Sequence, residues 1–460
     1  MNLTLGTKIK IYLSNFRRIK GSFRSEAFGI LARLEQLRLK RVGAFARQHS
    51  GSFKDFLDSL GIEFNPKKQK RLENSFVKYN KTLADYKLCQ DVWDRIFFKS
   101  QTTACSNGDL IKIEKKRIRL SEQILQPFEV FAQLSMEEKI PFLRFDTDSL
   151  EEFFLNWSKE ISDPDKLYDA LVKKTQVEES KRMSISGNNV YYIKYRSPAS
   201  SMFDYVYAKI FEPSNVQSYK TIIISTGWST ANDQEELWQG FDKLCEKIAA
   251  GGVRAVLMES PWQGRRTPLG FYSGEQLLSN VPSSLMQLLS SQALEIASAI
   301  EWARSQKSSR KIVLVGLSMG AYVAVQLVGK CKLWDFAYWP DSVVFSEITS
   351  LVERTLVGTK FTKRIGLTPA LEQMKWTKES LMGIRQMFDP PLKPSLPSSN
   401  IYTFIANKDT LGFQNYTTKL ASKWRIPNEN IIKTNTNHIN LTEKLLKDGL
   451  LEELLFKIIQ

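Results

Sequence analysis

Histidine is nearly missing from this chain, with only His49 and His438 among 460 residues. Any chemistry that needs an imidazole to take a proton therefore has two candidates. Cysteine is also scarce. Cys89, Cys105, Cys245 and Cys331 are widely separated and form no C-x-x-C pair, so the spacing suggests neither a metal site nor a disulfide framework, and a reducing, cytoplasmic setting is expected. No apolar run of 18 residues occurs, and the first residues hold no signal-like apolar stretch. A soluble protein is expected, and no internal repeat or low-complexity tract is visible.

What is present is hydrophobic content of 42% and a formal charge of +16. The length exceeds what one core usually fills, so two parts are expected: a basic helical region over 1–180 and a larger domain over 184–460. The charge is uneven. Residues 1–47 carry 11 Lys/Arg, among them Lys8, Lys10, Arg17 and Arg18, against Glu26 and Glu35, a net +9 of the +16. This front end suits a helix face packed on the rest of the chain, or attraction to an anionic membrane surface; the Arg, Lys and Ser content of the first 24 residues also fits an organellar targeting stretch. Nucleic acid is the weakest reading, because no recognition motif accompanies the charge.

Apolar residues at Phe28, Leu31, Leu34, Leu37, Val42 and Phe45 follow a helical period, and similar spacing recurs over 66–98 and 146–173. Pro66 marks a helix start, and Asp148 to Glu152 supplies capping residues before Phe153. After about residue 184 the pattern changes. Val190 to Ile193 and Tyr205 to Phe211 predict an antiparallel hairpin. Strands at Thr221–Ser225, Val253–Met258 and Lys311–Val315 then alternate with helices at about 234–250 and 283–304, which predicts an α/β fold with a mostly parallel sheet. Further strands are expected at 342–345, 401–405 and 430–433, and one closing helix over 441–459. Residues 349–398 lack strand signals and end in a Pro-rich run, which predicts a helical insertion acting as a lid or as ordinary crossover helices.

Gly316-Leu317-Ser318-Met319-Gly320 matches G-x-S-x-G, a weak signal on its own. Its setting strengthens it. The motif follows the apolar strand Ile312 to Val315 and precedes a helix-forming run, the strand-turn-helix arrangement of a nucleophile elbow. A serine hydroxyl needs an adjacent base. His438, after a strand and before the last helix, fits that role, whereas His49 lies in the basic arm and reads as a surface residue. The histidine needs a carboxylate to fix its tautomer. Asp409, just past the strand Tyr402 to Ile405, is the expected partner, with Glu347 as the substitute.

With the order Ser318, Asp409, His438, residues 184–460 resemble the α/β-hydrolase superfamily. The resemblance implies acyl transfer through an acyl-enzyme on Ser318, with an oxyanion hole built from the amides of Met319 and Trp228 and with no cofactor or metal. Thr226 and Asn437 stand where many members have histidine and glycine. The segment Glu259-Ser260-Pro261-Trp262-Gln263-Gly264-Arg265-Arg266 is similar to the loop of a branch that includes α/β-hydrolase domain-containing protein 18. Arg265 and Arg266 are candidates to hold a substrate anion, because guanidinium forks match carboxylates and phosphates. The expected activity is hydrolysis of a small-molecule or lipid carboxylic ester. The alternatives are a non-catalytic scaffold of the same fold and a carbon-carbon bond hydrolase using the same triad.

Overall fold

The computed structural model describes residues 26–99, 105–135, 137–168, 175–214, 220–228, 235–306, 311–331, 336–408 and 413–459. Lys8, Lys10, Arg17, Arg18 and Asp409 lie outside these residues.

The described strands form one sheet: β1 (Glu178–Glu179), β2 (Met183–Ile185), β3 (Asn188–Arg196), β4 (Tyr205–Pro213), β5 (Lys220–Ser225), β6 (Val253–Met258), β7 (Ile312–Gly316), β8 (Ser342–Phe345), β9 (Ile401–Ala406) and β10 (Ile431–Thr434). Their spatial order is β1-β3-β4-β6-β5-β7-β8-β9-β10, and β2 also pairs with β3. The predicted hairpin is β3 against β4, in register from Asn188 opposite Pro213 to Arg196 opposite Tyr205. β4 runs antiparallel to β6. From β6 through β5, β7, β8, β9 and β10 every neighbouring pair is parallel.

That parallel run explains why the central strands read as continuous apolar stretches. β7 and β8 are buried along their whole length, because helices cover both faces. One face packs against helices Ser283–Ser305 and Met319–Lys330, with Leu289, Ile296, Val323 and Leu327 in the same apolar cluster as Ile223, Leu314 and Val343. The other packs against helices Glu235–Ala250, His438–Lys447 and Leu450–Ile459, through Leu244, Ile248, Leu445 and Leu455. The expected single closing helix is two, because Gly449 takes a left-handed φ of 75°, a conformation that an α-helix does not continue.

The front of the chain is helical over Glu26–Gln48, Phe53–Leu60, Pro66–Asp94 and Asn107–Leu125. Pro66 sits in the first turn behind the cap Asn65, whose side chain accepts from the Lys68 amide. A capping box joins Ser149 and Glu152 ahead of Phe153. These helices have a core of their own, in which Phe56, Phe76, Tyr79 and Phe131 pack together. Part of the basic stretch turns inward. Arg38, Lys40 and Arg41 are buried, so this portion of the front charge serves internal contacts. Residues 349–398 form short helices, including Leu367–Gln373 and Lys378–Gly383. They pack on the front region, where the Trp376 indole donates to the Asp148 carbonyl and its ring meets Phe153 edge-on. Among the described residues no helix is long and apolar enough to cross a membrane.

Candidate active site

Because β5 through β10 are parallel, the residues that follow their carboxyl ends share one rim of the sheet. Trp228 follows β5, Ser318 follows β7, Glu347 follows β8 and His438 follows β10. Residues more than 200 apart in the chain, such as Trp228 and His438, thereby come to one edge.

Ser318 has φ 54° and ψ −117° at the start of helix Met319–Lys330. A non-glycine residue there is strained by about 1–3 kcal/mol, and surrounding structure must hold it in place. The holding contacts are visible. The Ser318 amide donates to Ser346 Oγ at 2.8 Å, and the Leu317 amide donates to the Ser225 carbonyl at 3.0 Å. The flanking glycines are steric requirements. A Cβ on Gly316 would lie 2.4 Å from the Gly320 carbonyl oxygen, and one on Gly320 would lie 2.2 Å from the Ser225 carbonyl oxygen. Gly227 is pressed against the serine itself, since a Cβ there would be 3.0 Å from Ser318 Cβ. The result is a half-buried serine at a helix N-terminus, where the helix dipole favours negative charge.

His438 opens helix His438–Lys447, and its Nδ1 lies 2.9 Å from Glu347 Oε1. A carboxylate only accepts, so this contact places the hydrogen on Nδ1 and leaves the lone pair on Nε2. Glu347 is fully buried, and its Oε2 accepts from the Ala406 amide at 2.9 Å. The imidazole keeps 18% of its surface exposed and stacks on Phe413 with ring centroids 3.6 Å apart. Its plane is thus fixed by a carboxylate at one edge and an aromatic face. Ser346 touches the Ser318 amide and its chain neighbour Glu347 touches His438, so one dipeptide links the two groups. The carboxylate that meets His438 is therefore supplied by Glu347, which the sequence offered only as the substitute, while Asp409 lies outside the described residues.

Met319 is the first residue of its helix, so its amide has no intrahelical partner. Trp228 is half-buried beside Gly227, and its indole Nε1 donates to the Gly274 carbonyl at 2.7 Å. A hydroxyl, an imidazole with its carboxylate and a helix-start amide are the groups that acyl transfer uses.

Arg265 and Arg266 face inward. Arg265 pairs with Glu259 at 3.1 Å and lies against the rings of Trp93, Tyr192 and Tyr207. Arg266 bridges Asp204 and Glu295, each at 2.7 Å, and these partners hold its guanidinium charged. The arginine side chains are 5% and 1% exposed. The expected clamp on a substrate anion finds both guanidiniums occupied by the protein's own carboxylates, drawn there by the cost of leaving a buried charge unpaired.

Neither a protein-family model nor a curated protein matches the sequence. Among solved structures, the acetyl xylan esterase of Paenibacillus sp. R4 aligns over 66% of this chain and 96% of its own, at 13% identity and a TM-score of 0.42. Acetyl xylan esterase 1 of a Thermoanaerobacterium species aligns over 61% and 86%, at 13% identity and a TM-score of 0.43. A bacterial brefeldin A esterase, described as a homologue of human hormone sensitive lipase, aligns over 68% and 85%, at 12% identity and a TM-score of 0.34. An antiparallel opening, the β6-β5 exchange, a parallel remainder and a strained serine after the central strand together mean that this chain has the α/β-hydrolase fold.

Proposed function

We propose that the protein is a serine hydrolase that cleaves a carboxylic ester, with Ser318 as nucleophile, His438 as general base and Glu347 as the carboxylate that orients the imidazole. The observation that carries this reading is the Glu347–His438 contact of 2.9 Å at the sheet rim that also bears the strained serine.

In the proposed reaction His438 Nε2 takes the Ser318 proton as the oxygen attacks the ester carbonyl, and Glu347 stabilises the imidazolium. The amides of Met319 and Trp228 receive the oxyanion. The imidazolium then protonates the departing alkoxide, leaving an acyl-enzyme. Water, deprotonated by the same histidine, releases the acid and restores the serine. The motif alone is weak support; its strained backbone, the fixed tautomer and the shared rim are independent and point to one chemistry.

Ser318→Ala is expected to abolish both labelling by a fluorophosphonate probe and turnover of p-nitrophenyl esters, with an unchanged circular dichroism spectrum. Labelling that persists in this variant removes Ser318 from the reaction.

A further inference from the structure

The loop after β6 is tied down by the helical front of the chain. Glu275 is fully buried, and two segments remote in sequence meet its own loop on its carboxylate. Arg41 Nη1 lies 3.1 Å from both carboxylate oxygens, the Arg144 amide donates to Oε1 at 2.7 Å, and the Tyr272 amide donates to Oε2 at 2.8 Å. The same Arg41 nitrogen donates to the Gly270 carbonyl at 2.6 Å, and Arg47 donates to the Phe271 carbonyl. Between these anchors the chain turns at Gly270 and Gly274, both with φ of 82°. The Gly270 turn is crowded as well, since a Cβ there would lie 2.7 Å from Gln48 Oε1.

What this loop presents toward the rim is the Gly274 carbonyl. It accepts the Trp228 indole hydrogen at 2.7 Å, while the Gly274 amide donates to the Trp262 carbonyl at 2.9 Å. Trp228 adjoins Gly227, the residue pressed against Ser318. A continuous set of bonds therefore runs from Arg41 on helix Glu26–Gln48, through Glu275 and the Gly270–Gly274 turn, to the side chain of the residue whose amide faces the oxyanion in the reading above.

We propose that Arg41 and Glu275 are positioning residues: the helical front region sets the oxyanion-binding amide of Trp228 by holding the Gly270–Glu275 loop in one place. This inference rests on the serine-hydrolase reading. It assigns the front helices a part in the reaction itself, without any of their side chains touching substrate. Burial supports it physically. Desolvation pulls the Arg41 guanidinium down and pushes the Glu275 carboxyl up from their ordinary values, so the pair is kept against a desolvation cost and a purely apolar contact would have met packing needs more cheaply. What an apolar contact lacks is direction. Donors must be held to within about 0.5 Å of their productive position, roughly 3 Å from the oxyanion, to act on it.

Trp228→Phe removes the indole bond and keeps the ring, and Arg41→Met removes the pair and keeps the bulk. Each is expected to lower kcat for a p-nitrophenyl ester about 10- to 100-fold with KM within about threefold. Each is also expected to weaken a trifluoromethyl ketone inhibitor in proportion, because that adduct uses the same amides. The double variant should fall no further than the worse single one, as two cuts in one line of contacts do. Arg254→Met, which breaks the buried Arg254–Glu212 pair elsewhere in the sheet, serves as control and should lose stability while the folded enzyme keeps its kcat. Full kcat in folded Trp228→Phe, or additive losses in the double variant, overturns the proposal. A wild-type protein that neither turns over esters nor labels would instead overturn the hydrolase reading first.

Discussion

The sheet rim and the junction between the helical front and the sheet are both rich in polar side chains, yet they use them in opposite ways. At the rim the serine and the imidazole each keep one side open. Ser318 is half-buried with a hydroxyl at a helix N-terminus, and His438 is bonded at Nδ1 and partly exposed. At the junction the groups are closed on all sides. Glu114 accepts from Trp93 Nε1 at 2.6 Å and from Arg117, and is bonded to the Tyr192 hydroxyl; Arg117 is fully buried and lies over the Trp93 ring. The comparison teaches that buried charge here holds elements in orientation, whereas the half-open polar groups are the ones the proposed reaction uses.

The largest effect that can break this contrast is on the rim. Glu347→Gln keeps an acceptor for the Ala406 amide but no longer demands the hydrogen on Nδ1. Changing the carboxylate of a triad to an amide costs about 10³- to 10⁴-fold in kcat, or about 4–5.5 kcal/mol. Esterase kinetics should show a loss of that order for Glu347→Gln and a change within severalfold for Asp409→Asn. The reverse pattern transfers the orienting role to Asp409.

The next effect lies at the junction and concerns stability. Arg117→Met strips the guanidinium from Glu114 and leaves a buried carboxylate with neutral donors only. Breaking a buried pair in this way costs about 3–5 kcal/mol, measurable by urea unfolding. Replacing Glu114 and Arg117 together with apolar residues, and Tyr192 with Phe, should return most of that loss. If Arg117→Met alone costs under about 1 kcal/mol, the junction is held by its apolar contacts.

These two regions were unequally legible in the sequence. Strand positions were readable to within a residue or two for β5 through β9, because a sheet covered on both faces demands unbroken apolar runs. Ser318 was legible as a candidate because two glycines flank it at fixed spacing after an apolar strand, and His438 because almost no histidine competes with it. The partner of that histidine was not. Glu347 lies two residues past the end of β8 and Asp409 three past the end of β9, and spacing cannot say which strand end leans toward β10. The junction was less readable still. Arg265 and Arg266 look like a free basic pair in sequence; their partners Glu259, Asp204 and Glu295 are up to 62 positions away. Such long-range pairing leaves no local pattern.

The smallest effect sharpens the comparison from within the helical front. Tyr79 is buried, donates toward the Gly43 and Ile124 carbonyls, and burial pushes its phenol up to about 12 from an ordinary 10.0. The folded state thus holds this proton more tightly than the unfolded chain does. The stability it contributes is complete below pH 10 and is lost as pH rises through 12. One unit above the unfolded value the loss is roughly 1.4 kcal/mol. Urea unfolding at pH 9 and pH 11 should therefore show a smaller alkaline drop in Tyr79→Phe than in the parent. An equal drop would mean that the front helices open, and expose Tyr79, without the sheet. In that event the junction does not join the two regions into one unfolding unit, and loss of the front helices at high pH should carry the Gly270–Glu275 loop and ester turnover with it before the sheet melts.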